Sequence, residues 1–278
     1  MNRAVPLIVT GAGGRIGRLA RLGGVDQRRF APVWVRRAGD GTGPVWDMAA
    51  GEPPALPEGG IVLHLAAVLP GRGALGQNAE MARALVKADR ASGFSRVVLM
   101  SSVAVYAPED GPIPETRAPA PPSDYGRAKL EAEQILSAGF GPRLTILRLA
   151  NLAGADALLG GAGRGGPVIL DPVAGQPGGP VRSYIGPKTL LRALDRLLGA
   201  LADGRDLPAV LNLAQPGALG MASLLQAAGR DWRFGPPRAE TVARVEVDVA
   251  RLMSISPLPP ADPRAILSEI DGFGGKWP

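Results

Sequence analysis

The amino-acid sequence predicts the α/β class: a doubly wound parallel sheet followed by a smaller, irregular C-terminal lobe. Three observations carry this. Apolar runs of strand length alternate with helical stretches as far as residue 150. Those runs are apolar throughout, as strands covered on both faces are. Beyond residue 150 the chain becomes Gly- and Pro-rich and loses much of its periodicity.

Each element follows from its residues. Val5–Thr10 (VPLIVT) is a strand that ends in glycines, and Arg15–Leu22 (RIGRLARL) reads as a helix. Ala31–Val35 (APVWV) is a second strand. Val45–Trp46 is a short third one, ending at Asp47. Ile61–Leu65 (IVLHL) and Arg96–Ser101 (RVVLMS) are buried strands on either side of a helix, Gln77–Ser92. That helix gathers Ala82, Leu85 and Val86 on one face. Pro108–Pro122 is a Pro-rich loop, long enough to be functional rather than a plain connection. Asp124–Ser137 is a helix with Ala128, Ala132, Ile135 and Leu136 on one face, and Leu144–Leu149 is a further strand. After the Gly-rich stretch Gly154–Gly179 come an amphipathic helix, Lys188–Leu201, a strand, Ala209–Leu213, and a short helix, Gly220–Gly229. Val242–Val249 alternates within a Pro-rich C-terminal region.

Composition bounds the function. A chain of 278 residues is one large domain or two small ones. With 20% charged and 46% hydrophobic residues it is globular rather than disordered. The lack of cysteine excludes disulfides, thiolate metal sites and a Cys nucleophile. A single histidine, His64, excludes metal centres built from several imidazoles, and no metal is expected. No apolar run approaches the roughly 20 residues of a membrane span. The N-terminal apolar run enters a Gly-rich turn rather than a cleavage site. A soluble, cytoplasmic protein without a membrane partner is expected. The net charge of +6 comes mostly from scattered arginines. With no basic stripe and no stacking aromatics, a nucleic-acid partner is not expected; an anionic small ligand suits a mild Arg excess better.

Three motifs carry chemistry. In Thr10-Gly11-Ala12-Gly13-Gly14-Arg15-Ile16-Gly17, glycines 11, 14 and 17 lie between a first strand and a first helix. There they allow positive φ and let backbone approach a pyrophosphate held at the helix N-terminus. A tight turn without a ligand is the alternative. Arg36-Arg37 follows the second strand, where an NAD-preferring fold has an acid for the ribose 2′-hydroxyl. Arginine suits a 2′-phosphate, so NADP is expected, with NAD as the other cofactor. Two solvated surface arginines are the bland reading.

Tyr125-Gly126-Arg127-Ala128-Lys129 puts a phenol and an ammonium on one helical face. The ammonium is expected to lower the phenol pKa toward acid–base work. Ser101-Ser102 ends a buried strand, and strand C-terminal ends of a parallel sheet face the ligand crevice. Ser102 can therefore donate to a substrate oxygen. His64, inside a strand, reads as a satisfied core or cofactor-edge residue rather than a base. Asn78 reads as a helix cap or a residue near the cofactor. Trp34, Trp46, Trp232 and Trp277 read as packing residues.

On these pieces the chain resembles the extended short-chain dehydrogenase/reductases of the NAD(P)-dependent epimerase/dehydratase family. The matching segments are TGAGGRIG (10–17), WDM (46–48), LHLAA (63–67), Asn78, SSVAVY (101–106), YGRAK (125–129), LRLANLAG (147–154) and RSYIG (182–186). The resemblance implies a Rossmann-type domain at 1–150, with 183–213 returning to it. It implies a substrate lobe from 151–182 and 214–278. Ser102, Tyr125 and Lys129 match the catalytic triad. Cofactor contacts are expected from Gly11, Gly14, Arg15, Ile16, Gly17, Arg36, Arg37, Asp47, Met48, Leu65, Ala66, Ala67, Tyr125 and Lys129. Asp47 is matched to the adenine amino group, and Asn151 and Arg182 to a nucleotide-sugar diphosphate. The family's helices matching Gln77–Ser92 and Asp124–Ser137 pair two copies, so a homodimer is expected.

Two departures narrow the substrate. Ile185-Gly186-Pro187-Lys188-Thr189 stands where the family has Ile-His-Val-Asp-Asp, and 154–181 is short and Gly-rich. Val103 and Ala104 follow Ser102 where dehydratases have Asp-Glu, so dehydration is not expected. The reading is an NAD(P)-dependent oxidoreductase acting on the hydroxyl or carbonyl of a small, sugar-like substrate. A nucleotide-sugar epimerase with a tightly held cofactor and a non-enzymatic NADP sensor are its rivals.

Overall fold

Leu7, Ile8, Val9 and Thr10 are all fully enclosed, so the first strand buries both alternate sets of its side chains. The computed structural model describes residues 4–23, 25–38, 43–160, 166–238 and 240–273. In chain order these form β1 (Val5–Thr10), α1 (Arg15–Gly23), β2 (Phe30–Trp34), β3 (Ile61–His64) and α2 (Gln77–Ser92). Next come β4 (Arg96–Ser102), β5 (Pro112–Ile113), α3 (Asp124–Phe140), β6 (Leu144–Leu149) and β7 (Asn151–Leu152). Then follow β8 (Val168–Leu170), β9 (Val181–Ile185), α4 (Pro187–Ala202), β10 (Val210–Leu213) and β11 (Ala218–Gly220). The chain ends in α5 (Met221–Ala227), β12 (Trp232–Phe234), β13 (Arg244–Val247), α6 (Ala250–Ile255) and α7 (Pro263–Asp271).

The described chain divides into two units. The first takes residues 1–107, 118–148 and 194–211. Its sheet has the order β10-β6-β4-β3-β1-β2, and β1 pairs β2 and β3 in parallel, as β3 pairs β4. Strand order reverses at β1, and in such sheets ligands bind beyond the strand C-termini at the reversal. Ala82 and Leu85 of α2 meet Ala132 and Leu136 of α3 over Val97, Leu99 and Ile146 in one buried cluster. Gly139 permits the close approach: a Cβ there would lie 2.5 Å from Val86 Cγ2. The second unit takes 108–117, 149–193 and 212–278. It holds a sheet of order β11-β9-β13-β5, with β7 on β9, and a small β12-β8 pair.

The structure departs from the sequence expectation at four places. The third strand at Val45–Trp46 shrinks to a single parallel bridge, Arg36 to Val45. Just beyond it the Asp47 carbonyl accepts the Ala50 and Gly51 N–H groups, closing a turn that ends the pairing. The return to the first unit begins at Leu194 rather than residue 183, because β9 pairs β11 and β13 instead. The Pro-rich segment 108–117 belongs to the second unit. There β5 pairs β13, and Glu115 accepts the Asn212 N–H at 3.0 Å.

The fourth concerns the apolar stripes assigned to a dimer. Ala82, Leu85, Ala132 and Leu136 are consumed inside the first unit. Outside that cluster α2 and α3 expose an Arg83–Glu131 ion pair at 3.1 Å, and Val86 and Ile135 are only half-buried. Trp46 is buried, Trp34 and Trp232 half-buried, and Trp277 lies outside the described residues. Among the described residues no helix is long and apolar enough to cross a membrane, and no group of three or more His, Asp or Glu could hold a metal ion.

Candidate active site

The loop from β1 into α1 is shaped by what glycine omits. Gly11 has φ +68°, and a Cβ there would sit 2.5 Å from the Ala66 nitrogen and 2.7 Å from the Leu65 carbonyl carbon. Only glycine lets the loop lie against the segment that follows β3. Gly17 does the same for α1, since its Cβ would meet the Gly11 oxygen at 2.5 Å. Gly14 N–H closes the turn on the Gly11 carbonyl at 2.9 Å. Gly13 and Gly14 are exposed, and the first-turn amides of α1 lack intrahelical acceptors. Exposed amides, a missing Cβ and a helix N-terminus fit a pyrophosphate.

Arg15 and Ile16 open α1, half-buried. The Arg36 stem runs past this loop: a Cβ at Gly13 would lie 3.9 Å from Arg36 Cγ. Arg36 is largely enclosed, while Arg37 is exposed. Asp47 is exposed and its carboxylate accepts the Ala49 N–H at 3.3 Å. Met48 turns its side chain into the core, which leaves only its backbone for a cofactor. Leu65 and Ala66 are half-buried and Ala67 exposed, directly after β3.

His64 is fully enclosed at the end of β3. Burial first, and the Lys129 charge second, hold its imidazole down to about 3, so it is neutral at pH 7. Asn78 is buried and pins the segment before α2, accepting the Val68 N–H and donating to the Val68 and Leu75 carbonyls. It acts as a structural clamp there.

Ser102, Tyr125 and Lys129 come together in the first unit. Ser102 ends β4, and its Oγ accepts the Ala104 N–H at 3.2 Å, turning the chain into a short 3₁₀ segment. Ser123 caps α3 by accepting the Gly126 N–H. Any side chain at Gly126 would overlap the Ala104 carbonyl. The glycine after Tyr125 thus lets the first turn of α3 lie on the turn after Ser102. Ser102 acts on the Tyr125 phenol, opposing the rise that burial causes. One turn on, Lys129 is enclosed and its Nζ donates to the Met100 carbonyl at 2.8 Å.

The electrostatics differ from the sequence expectation. Burial raises the Tyr125 phenol above its ordinary value, and the opposing effect comes from Ser102, not from Lys129. Burial lowers Lys129 itself to about 8, against the Glu133 charge that raises it. The ammonium is directed at a β4 carbonyl.

Beneath the triad lies a buried polar cluster that motif reading passed over. Glu133 accepts Arg148 Nη2 at 2.7 Å and Nε at 3.2 Å, and takes the Ser101 hydroxyl at 2.5 Å. Arg148 Nη1 donates to the Tyr106 hydroxyl at 2.9 Å and stacks over that ring. Two signals were present: an arginine inside an apolar strand, LTILRL, and a glutamate four residues after Lys129.

In the second unit Asn151 Nδ2 donates to the Ser183 carbonyl at 3.1 Å. Arg182 gives Nη2 to the Val242 carbonyl at 2.7 Å and Nη1 to the Val181 carbonyl at 2.8 Å. Both side chains matched to a diphosphate thus serve the lobe's own backbone.

Residues 60–168 match the family model described as NAD dependent epimerase/dehydratase family. A segment of 69 residues is 46% identical to a UDP-glucose 4-epimerase of Azospirillum brasilense, covering 23% of this chain and 20% of that protein. The match spans about a fifth of the curated relative's length. A solved structure of MoeE5 in complex with UDP-glucose and NAD shares 26% identity over 96% of this chain and 97% of its own, with a TM-score of 0.70. The UDP-glucose-4-epimerase of Stenotrophomonas maltophila, solved with NAD and formylated UDP-arabinopyranose, shares the fold at 22% identity and TM-score 0.76. It covers 95% of this chain and 96% of its own.

Proposed function

We propose that this chain, whose residues 60–168 match the NAD dependent epimerase/dehydratase family, is a cytoplasmic NAD(P)-dependent oxidoreductase interconverting a hydroxyl and a carbonyl on a small substrate. One observation carries this: Ser102 at the end of β4 and Tyr125 and Lys129, one turn apart on α3, are brought together, with Lys129 Nζ on the Met100 carbonyl of the same strand. The Gly11–Gly17 loop would hold the cofactor's pyrophosphate, with the segment Leu65–Ala67 alongside. A bound nicotinamide supplies or accepts the hydride. Ser102 donates to the substrate oxygen and fixes it beside Tyr125. The phenol, protonated at pH 7, gives its proton to a carbonyl being reduced and takes it back in the reverse direction. Lys129 stabilises the phenolate while it exists.

For the cofactor, NADP is favoured by Arg36, whose stem runs beside Gly13 and which stands where an NAD-preferring fold has an acid. A nucleotide-sugar epimerase is the second reading, favoured by relatives solved with NAD and UDP-sugars. The internal bonding of Asn151 and Arg182 weighs against it. As to partners, a homodimer through α2 and α3 would use faces that carry Arg83, Glu131 and the half-buried Val86 and Ile135.

The test is a screen of alcohols, carbonyls and nucleotide sugars with both cofactors, following nicotinamide absorbance in wild type and Tyr125→Phe. Turnover in wild type, lowered by roughly 100-fold or more in the variant, is the expected result. Equal turnover in the two would remove Tyr125 from the reaction. Product inverted at one carbon with no net change in nicotinamide would favour the epimerase.

A further inference from the structure

Glu133 sits four residues after Lys129, so both project from one face of α3 into the interior. Each is almost fully enclosed, at 3% and 2% exposure. A carboxylate taken this far from water is costly unless its lone pairs are met. Here Arg148 from β6 grips both oxygens and Ser101 from β4 donates to one of them. Arg148 is in turn held by Tyr106. The cluster ties together α3, β4, β6 and the segment after Ser102.

An ammonium buried without a counter-charge tends to lose its proton. Around Lys129 the charged and titratable groups are Glu133 and Tyr125 on α3, His64 on β3 and, through Glu133, Arg148 on β6. His64 is neutral and contributes no negative charge. Tyr125 is protonated. That leaves Glu133 as the anion acting on Lys129.

We infer that Glu133, gripped by Arg148 and Ser101, is the positioning residue that keeps the buried Lys129 charged and aimed along β4. This rests on the proposed role of Lys129 for its meaning in catalysis, but its physical content does not. Lys129 falls to about 8 by burial even with Glu133 opposing. Without Glu133 nothing named here opposes the lowering by burial.

The chain's four lysines, Lys87, Lys129, Lys188 and Lys276, make the test direct. Lysine labelled with ¹³C at Cε gives four signals on the full chain, and Lys129→Arg identifies one of them. The Lys129 midpoint should drop by roughly one pH unit or more in Glu133→Gln, as expected for losing a nearby opposite charge. Glu133→Asp should restore much of it. Because Glu133→Gln leaves Arg148 buried beside a neutral partner and could unfold the unit, Glu133→Met with Arg148→Met provides a second variant without unpaired buried charge. The midpoint should fall there too. An unchanged midpoint in either folded variant overturns the inference. If the midpoint shifts but the wild type transfers no hydride, the functional reading fails and this one stands. If both hold, the pH limb of kcat should move with the Lys129 midpoint.

Discussion

Thr10 and His64 face each other where β1 and β3 run side by side, with Thr10 Oγ1 2.7 Å from His64 Nδ1. The same Thr10 oxygen accepts the Ala66 N–H at 3.4 Å, so its hydroxyl proton is free to go to the imidazole. With His64 neutral at pH 7, Nδ1 can accept from the Thr10 hydroxyl, or donate to it in the other tautomer. The pair fixes the start of the segment beside the glycine loop.

Stability should therefore depend on pH through this one residue. The unfolded imidazole takes a proton near 6.5, whereas the folded one resists to about 3. Between those values the unfolded state binds more protons, so stability is complete above about 6.5 and falls as pH drops toward 3. The slope approaches about 1.4 kcal/mol per pH unit. His64→Asn keeps an acceptor for Thr10 and removes the titration. Urea unfolding from pH 7 to 5 should show a flatter dependence in the variant; parallel curves would remove His64 as the cause.

Gly11 and Gly13, two residues apart, should respond differently to alanine. Gly11→Ala must place a Cβ against the Ala66 nitrogen at positive φ, and should cost more than about 2 kcal/mol. Gly13→Ala meets nothing nearer than 3.9 Å and should leave unfolding within about 0.5 kcal/mol of wild type. Its effect should appear in cofactor affinity, where the backbone must come close to a phosphate. Denaturant midpoints for both and a nicotinamide-cofactor titration for Gly13→Ala check this.

The parallel strands were legible because sequences buried on both faces read as continuous apolar runs, as VPLIVT and RVVLMS do. That Ser102, Tyr125 and Lys129 would be neighbours was legible because they occupy fixed helical and strand-end spacings. The third strand was misread since Val45–Trp46 has strand composition but Asp47 closes a turn directly behind it. The Glu133–Arg148 pair went unread because its partners are 15 residues apart on different elements and meet only in three dimensions. Apolar stripes on α2 and α3 fit an interface or a core equally well, and Ala82, Leu85, Ala132 and Leu136 lie in the core.

A second glycine explains a departure from the family pattern. A side chain at Gly186 would displace the Glu269 carboxylate of α7 from its present place. That carboxylate accepts the Thr189 N–H at 2.8 Å and its hydroxyl at 2.5 Å, capping the first turn of α4. An anion at a helix N-terminus is favourable, and these are charge-assisted bonds. Glu269→Ala should destabilise by about 1.5–3 kcal/mol. Differential scanning calorimetry on the full chain reads it, and a Tm equal to wild type would show that the cap contributes nothing.

The proposed preference for NADP rests on Arg36 and Arg37. A guanidinium can give two parallel hydrogen bonds to a 2′-phosphate, whereas a 2′-hydroxyl offers it no charge. Losing one such contact should cost about 1.5–3 kcal/mol, a fall in NADP affinity of roughly tenfold or more, with NAD affinity little changed. Arg36 is largely enclosed, so Arg36→Ala also removes packing, and its unfolding midpoint must be measured beside its affinity. Arg37 is exposed, and Arg37→Ala carries no such packing loss. Calorimetric titration of both cofactors into wild type and the two variants separates the effects. A drop confined to NADP in Arg36→Ala, at unchanged stability, supports a phosphate contact from the residue beside the glycine loop. A drop only in Arg37→Ala transfers that contact to the exposed neighbour. Equal NADP and NAD affinities in the wild type would reject the 2′-phosphate reading for both arginines.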